Sequence, residues 1–160
     1  MEIIGTGSAL PRLRVSNQDL ASVMDTSDEW IINRTGIRER RICDQETLTD
    51  LAAQAAVEAL KNAGIEAEQL DFIICPTLQG DHVTPALACQ IQGRIGARCP
   101  ALDINGACTG FLYALDMAEA YLQAGRYKYI LIICAEALSK IVNWQDRSSA
   151  ILFGDGAGAA

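Results

Sequence analysis

Three stretches of the chain are largely apolar without alternation: Phe72-Ile73-Ile74-Cys75, closed by Pro76; Ala101-Leu102-Asp103-Ile104; and Tyr129-Ile130-Leu131-Ile132-Ile133-Cys134-Ala135. A strand with one wet face alternates, whereas one that is apolar throughout is covered on both faces, as in the middle of an α/β sheet. Elsewhere the period is helical. Thr47 and Asp50 have capping-box spacing, and Leu48, Leu51, Ala52, Ala55, Ala59, Leu60 and Ala63 recur at helical intervals before Gly64. This predicts a long core helix whose small residues allow close packing. Further helices are predicted from about Ala86 to Arg94 and from about Cys108 to Ala124, the latter with Phe111, Leu115, Ala118 and Leu122 on one stripe. Towards the amino terminus the pattern predicts a short strand at Glu2 to Gly5 and a helix capped at Ser16-Asn17 running to about Met24. A second short helix follows from Asp28 to about Arg34, capped by Ser27 and stopped at Gly36. Strands alternating with helices give an α/β fold with a largely parallel sheet. The final run Phe153 to Ala160 reads as the start of another strand. A natural boundary is normally a polar linker, so the chain is expected to be truncated there.

Composition narrows the function classes. Half of the 160 residues are apolar, enough for one sizeable core and a single domain. With 20 acids against 13 bases, net charge -7, the chain lacks the basic field that a nucleic-acid or anionic-membrane partner requires. An acidic ligand would have to find local arginines, and Arg38, Arg40 and Arg41 form a basic patch open to two readings, a face for a phosphate or an acidic partner and a plain solvated charged face. The start MEIIGTGSALP has no basic segment followed by an apolar one, and no apolar run approaches bilayer length, so a cytoplasmic location is expected. Six cysteines stand at 43, 75, 89, 99, 108 and 134 with no CxxC pair. Five of them are read as reduced core thiols.

The sixth is the candidate for chemistry. In Leu102-Asp103-Ile104-Asn105-Gly106-Ala107-Cys108-Thr109-Gly110-Phe111 a strand turns through small residues into a helix beginning near Cys108. Unpaired amides and the positive end of the helix dipole favour a thiolate there, and the same donors can hold an oxyanion. A buried cysteine opening a core helix is the plainer alternative, and spacing by itself leaves both open.

The segment Asn105 to Phe111 resembles the nucleophile motif of the β-ketoacyl-acyl-carrier-protein synthase III family. Ile4-Gly5-Thr6-Gly7-Ser8, Asp25 to Ile31, Arg34 to Arg40, Ala88 to Gln92 and Ile151 to Ala160 resemble that family in the same order. The resemblance implies the amino-terminal half of a thiolase-like fold, with a mixed, mostly parallel sheet covered by helices, and the carboxy-terminal half absent. It implies an acyltransferase that takes an acyl group from acyl-CoA, of acetyl-CoA type, onto Cys108. Decarboxylating condensation with malonyl-acyl-carrier-protein would then start fatty-acid synthesis. Trp30 and Arg147 match positions that sandwich the adenine of CoA, Thr26 and Arg34 positions lining the entrance, and Leu138 and Phe153 positions walling the acyl pocket. The partners implied are acyl-CoA, acyl carrier protein and further copies of the chain in a homo-oligomer. CoA thioester is a substrate; no cofactor or metal is expected. The family's catalytic histidine and asparagine lie in the half absent here, and His82, the single histidine, matches neither. Condensation by the isolated chain is therefore not expected. Two other readings stand beside this one: an inert fragment or assembly module that self-associates, and another thiolase-fold CoA condensing enzyme of polyketide or quinolone type.

Overall fold

The computed structural model describes residues 1–160. Five strands form one mixed sheet: β1 (Gly7–Ala9), β4 (Phe72–Pro76), β5 (Ala101–Ile104), β6 (Ile130–Ala137) and β7 (Asp155–Ala159). Their spatial order is β1-β7-β6-β4-β5. The inner pairs β4 with β5 and β4 with β6 are parallel, while β7 returns antiparallel to β6 and β1 antiparallel to β7. Strands β2 (Leu13–Ser16) and β3 (Glu39–Ile42) make a separate antiparallel ribbon.

The unalternating strands are explained by what covers them. Helix α3 (Leu48–Ala63) packs on one face of the sheet, where Ile73 and Cys75 of β4 meet Leu131, Ile133 and Ala135 of β6 in the larger core cluster. Helix α5 (Gly110–Gln123) covers the other face, over Phe72, Ile74 and Ile132. Successive residues of a strand point to opposite faces, so two covered faces demand an apolar residue at every position. Helix α4 (Leu87–Ile95) lies beside α3 and β5.

Local signals act where their partners are near in sequence. Thr47 and Asp50 close a capping box on α3, and Gly64 ends it in the left-handed conformation. Ser16 and Asp19 form a second capping box on α1 (Asn17–Ala21), which stops three residues short of Met24. Ser27 accepts from the Trp30 amide at the start of α2 (Asp28–Thr35), and Gly36 ends that helix.

Four expectations are corrected. The first strand is Gly7–Ala9, not residues 2 to 5: its ladder with β7 starts at Gly7 opposite Ala159. The buried stripe of α5 is Gly110, Ala114 and Ala118, while Phe111 stands more than a third exposed. All six cysteines are free, but Cys89 is exposed at the surface rather than in the core. Finally, Arg40 is not part of a surface patch: the alternation of β3 turns it inward, where it is 6% exposed. No helix is long and apolar enough to cross a membrane.

Candidate active site

Strand β5 ends at Ile104, and the chain passes through a single 3-10 turn, Ala107–Thr109, directly into α5. Thr109 tightens the turn by donating from both its amide and its hydroxyl to the Gly106 carbonyl, at 3.0 and 2.7 Å. Ala107 has φ 45°, the one non-glycine residue with positive φ in the chain. A side chain in that region is opposed by contact of Cβ with its own carbonyl, a cost of about 1–2 kcal/mol, and it persists only where the surroundings impose it. The strain falls on the residue immediately before Cys108 and leaves Cys108 exposed.

Gly110 lets the helix begin this close to the sheet. A Cβ built there would stand 2.9 Å from the Pro76 Cβ at the end of β4, closer than real contacts allow. Thr109, at the N-cap, makes no capping bond from its side chain, and the amides of Ala107 and Cys108 donate to no protein acceptor. An anion placed at the sulfur therefore meets unsatisfied N–H groups and the positive end of α5.

Cys108 opens into a groove of about 460 Å3 whose walls include Leu78, Glu136, Leu138, Ser149 and Phe153. The structure thus brings Cys108, Leu138 and Phe153 together from three separate segments. Glu136, near the end of β6, was not singled out from sequence. It is half-buried, accepts the Leu78 amide at 2.8 Å, and has its carboxyl pushed above the usual range by burial, against which the Leu78 hydrogen bond acts. The available signal was an acid between Ala135 and Ala137 in a strand whose alternate residues are core.

The other candidate residues gather around Trp30. Arg34, one turn on in α2, lies 4.0 Å from the centre of the indole ring, and Arg147 of the short helix α6 (Arg147–Ala150) lies 4.9 Å from it. Arg147 is tied down by the Asp25 carbonyl at 2.7 Å and stands 3.5 Å from the Asp25 carboxylate. Thr26 has its hydroxyl oxygen buried without a hydrogen-bond partner. The two clusters share one wall: Ser149 and Phe153 face the Cys108 groove, and Arg147 at the start of the same segment faces Trp30. His82 belongs elsewhere, in an open polar pocket with Thr47, Thr49, Asp81 and Arg94. No three His, Cys, Asp or Glu side chains are gathered as metal ligands.

Residues 102–160 match the family described as 3-Oxoacyl-[acyl-carrier-protein (ACP)] synthase III. The whole chain is 50% identical over 160 residues to the β-ketoacyl-[acyl-carrier-protein] synthase III of Clostridium acetobutylicum, covering 99% of this chain and 49% of the relative. The chain is similar to synthase III over nearly all of its own length. The crystal structure of the Aquifex aeolicus synthase III superposes with a TM-score of 0.97 at 51% identity, covering 99% of this chain and 52% of that one. The priming β-ketosynthase of the R1128 polyketide pathway superposes at 0.95 with 36% identity, covering 99% and 48%. The chain therefore spans about half the length of the synthase III relatives it matches, with the thiolase-like α/β architecture they share.

Proposed function

We propose that this chain is the acyl-accepting half of a β-ketoacyl-acyl-carrier-protein synthase III, an acyltransferase whose nucleophile is Cys108. The observation that carries the reading is the shared wall. Residues 147 to 153 put Arg147 against Trp30 at one end and Phe153 into the Cys108 groove at the other. A long ligand with an aromatic nucleotide at one end and a thioester at the other fits that arrangement. The adenine would stack on the Trp30 indole and the Arg147 guanidinium. Thr26 and Arg34 would line the entrance, and the acyl chain would lie against Leu138 and Phe153.

In the reaction proposed, the Cys108 thiolate attacks the thioester carbonyl of acetyl-CoA. A new C–S bond forms at Cys108, the bond to the CoA sulfur breaks, and the CoA thiolate leaves and takes up a proton. The Cys108 amide, free of a protein acceptor, would stabilise the oxyanion of the tetrahedral intermediate. Condensation of the acyl group with malonyl-acyl-carrier-protein is the step proposed for the whole enzyme, and these 160 residues bring no imidazole into the Cys108 groove to assist it. Acyl-CoA is read as substrate, acyl carrier protein as partner. Intact-mass spectrometry after incubation with acetyl-CoA tests the reading. One acetyl addition, lost in Cys108→Ala, is expected; no addition, or one that survives Cys108→Ala, overturns it.

The likeness to a polyketide priming ketosynthase keeps the related condensing chemistry in view. Incubation with a panel of acyl-CoA thioesters of rising length separates the two by which acyl group loads fastest. A homo-oligomer is proposed as well, on the exposed Leu112 and Tyr113 of α5, the exposed Leu10 after β1 and the exposed Leu13 of β2. Large apolar side chains left at a surface are covered in many proteins by contacts between chains. Light scattering that finds a monomer would dispose of it.

A further inference from the structure

Arg40 is the one arginine in the core, 6% exposed, and it makes no ion pair. Its guanidinium donates to three oxygens from three parts of the chain: the Val15 carbonyl at 3.2 Å, the Asn17 side chain at 2.9 Å and the Ile151 carbonyl at 3.1 Å. Its Nε has no partner at all. Burial lowers the pKa of the guanidinium. A buried cation without a carboxylate is expensive, and an apolar side chain of the same length would remove the expense. Stability therefore does not account for an arginine at this place.

What the guanidinium does uniquely is span. Asn17, 1% exposed, carries the network onward by donating to the Asp28 carboxylate at 2.9 Å and the Ile37 carbonyl at 2.8 Å. Asp28 opens α2, two residues before Trp30. Ile151 directly follows α6, which begins with Arg147. One fork of N–H groups thus joins the base of the helix bearing Trp30 to the end of the helix bearing Arg147, and a planar, multiply donating side chain is the only type that reaches all three acceptors.

We propose that Arg40 is a positioning residue that fixes the helix bearing Trp30 against the helix bearing Arg147, so that the two side chains, in contact here, can part and close on the nucleotide end of a CoA thioester without Arg40 touching the ligand. This rests on the function proposed above. It predicts that disturbing Arg40 falls mainly on the nucleotide end of the ligand and far less on Cys108, whose groove Ile151 does not line.

The test compares acylation of the full chain by acetyl-CoA and by acetyl-pantetheine, which lacks the nucleotide. The wild type is expected to load from acetyl-CoA at lower concentration. Arg40→Met is expected to acylate from acetyl-pantetheine as the wild type does, and to lose roughly tenfold or more of its preference for acetyl-CoA, the scale of effect that a small misplacement of a positioning group produces. Asp28→Ala cuts the same network at an exposed residue, where folding is not at stake, and is expected to lose part of that preference. It decides the matter if Arg40→Met fails to fold. Variants that fold and keep the wild-type preference overturn the role of Arg40, as does an equal fall with both thioesters, which marks general damage. A wild type that loads equally from both thioesters overturns the reading of the Trp30 cluster, and one that loads from neither overturns the acyl-accepting function itself; either takes the inference with it.

Discussion

The guanidinium of Arg147 sits 4.9 Å from the centre of the Trp30 ring, although the two residues come from opposite ends of the chain. Stacking of a base on an aromatic side chain contributes about 1–3 kcal/mol. Trp30→Ala should accordingly weaken acetyl-CoA binding about fivefold to a hundredfold, with acetyl-pantetheine affected far less. Titration calorimetry with the two ligands reads the difference, and equal affinities for wild type and variant would remove the indole from the site.

The strained turn before Cys108 makes a stability prediction of opposite sign for two small changes. Ala107→Gly relieves the left-handed conformation and should stabilise the chain by about 1 kcal/mol, while Ala107→Val adds a β-branched side chain at the same φ of 45° and should destabilise it by more. Gly110→Ala drives a methyl into Pro76 and is expected to cost about 1–3 kcal/mol while displacing the turn that bears Cys108. Denaturant melts of the three variants provide the check, with Cys108 alkylation rates reporting whether the turn has moved.

Thiol chemistry should sort the cysteines by environment. Cys108 and Cys89 are exposed. The Cys43 thiol is pushed up to about 12 by burial and by the adjacent Asp155 carboxylate, and the Cys134 thiol to about 11 by burial and Glu136. The anion is the reactive form, so iodoacetamide at neutral pH should label Cys108 and Cys89 before Cys43, Cys75, Cys99 or Cys134. Peptide mapping of the partly labelled protein measures the order. Early labelling of Cys43 or Cys134 would contradict the packing around them.

Two carboxyls predict opposite responses to pH. Burial works to raise the pKa of Asp81, but the amide and hydroxyl of Thr49, the Lys140 ammonium and the Leu48 amide overcome it and hold the value at about 2. A folded-state pKa below the unfolded one gives stability that is present above about pH 4 and lost as the pH falls towards 2, here about 2 kcal/mol. Asp81→Asn should abolish that acid-side loss. Glu136 has the reverse shift, raised by burial. Its contribution is fully present below the unfolded carboxyl value and declines as the pH rises through the folded one. Glu136→Gln, which can still accept the Leu78 amide, should therefore stabilise the chain at neutral pH and have little effect in acid. Thermal melts between pH 3 and 8 distinguish the two carboxyls, and matching profiles for the two variants would contradict both assignments.

Much of this could be read along the chain because its causes are local. The capping boxes at Ser16 and Thr47, the stops at Gly36 and Gly64, and the unalternating strands β4 and β6 depend on neighbours a few residues away or on a simple count of covered faces. The turn from β5 into α5 at Cys108 was legible for the same reason. Other features were settled by partners distant in sequence. Phe111 and Gly110 lie on neighbouring stripes of α5, and only the closeness of Pro76 decides that the smaller residue faces the sheet. Three arginines in four positions look like a patch until the pairing of β3 with β2 shows which one points inward. The sequence by itself therefore determined most of the elements, their order and the place of Cys108 at the turn into α5, since these follow from spacing and backbone preference. The tertiary structure alone decided which side chains meet: Trp30 with Arg147, Cys108 with Leu138 and Phe153, and Arg40 with Ile151. Contacts across long loops depend on how strands pair and how closely helices approach them, and no local pattern encodes that.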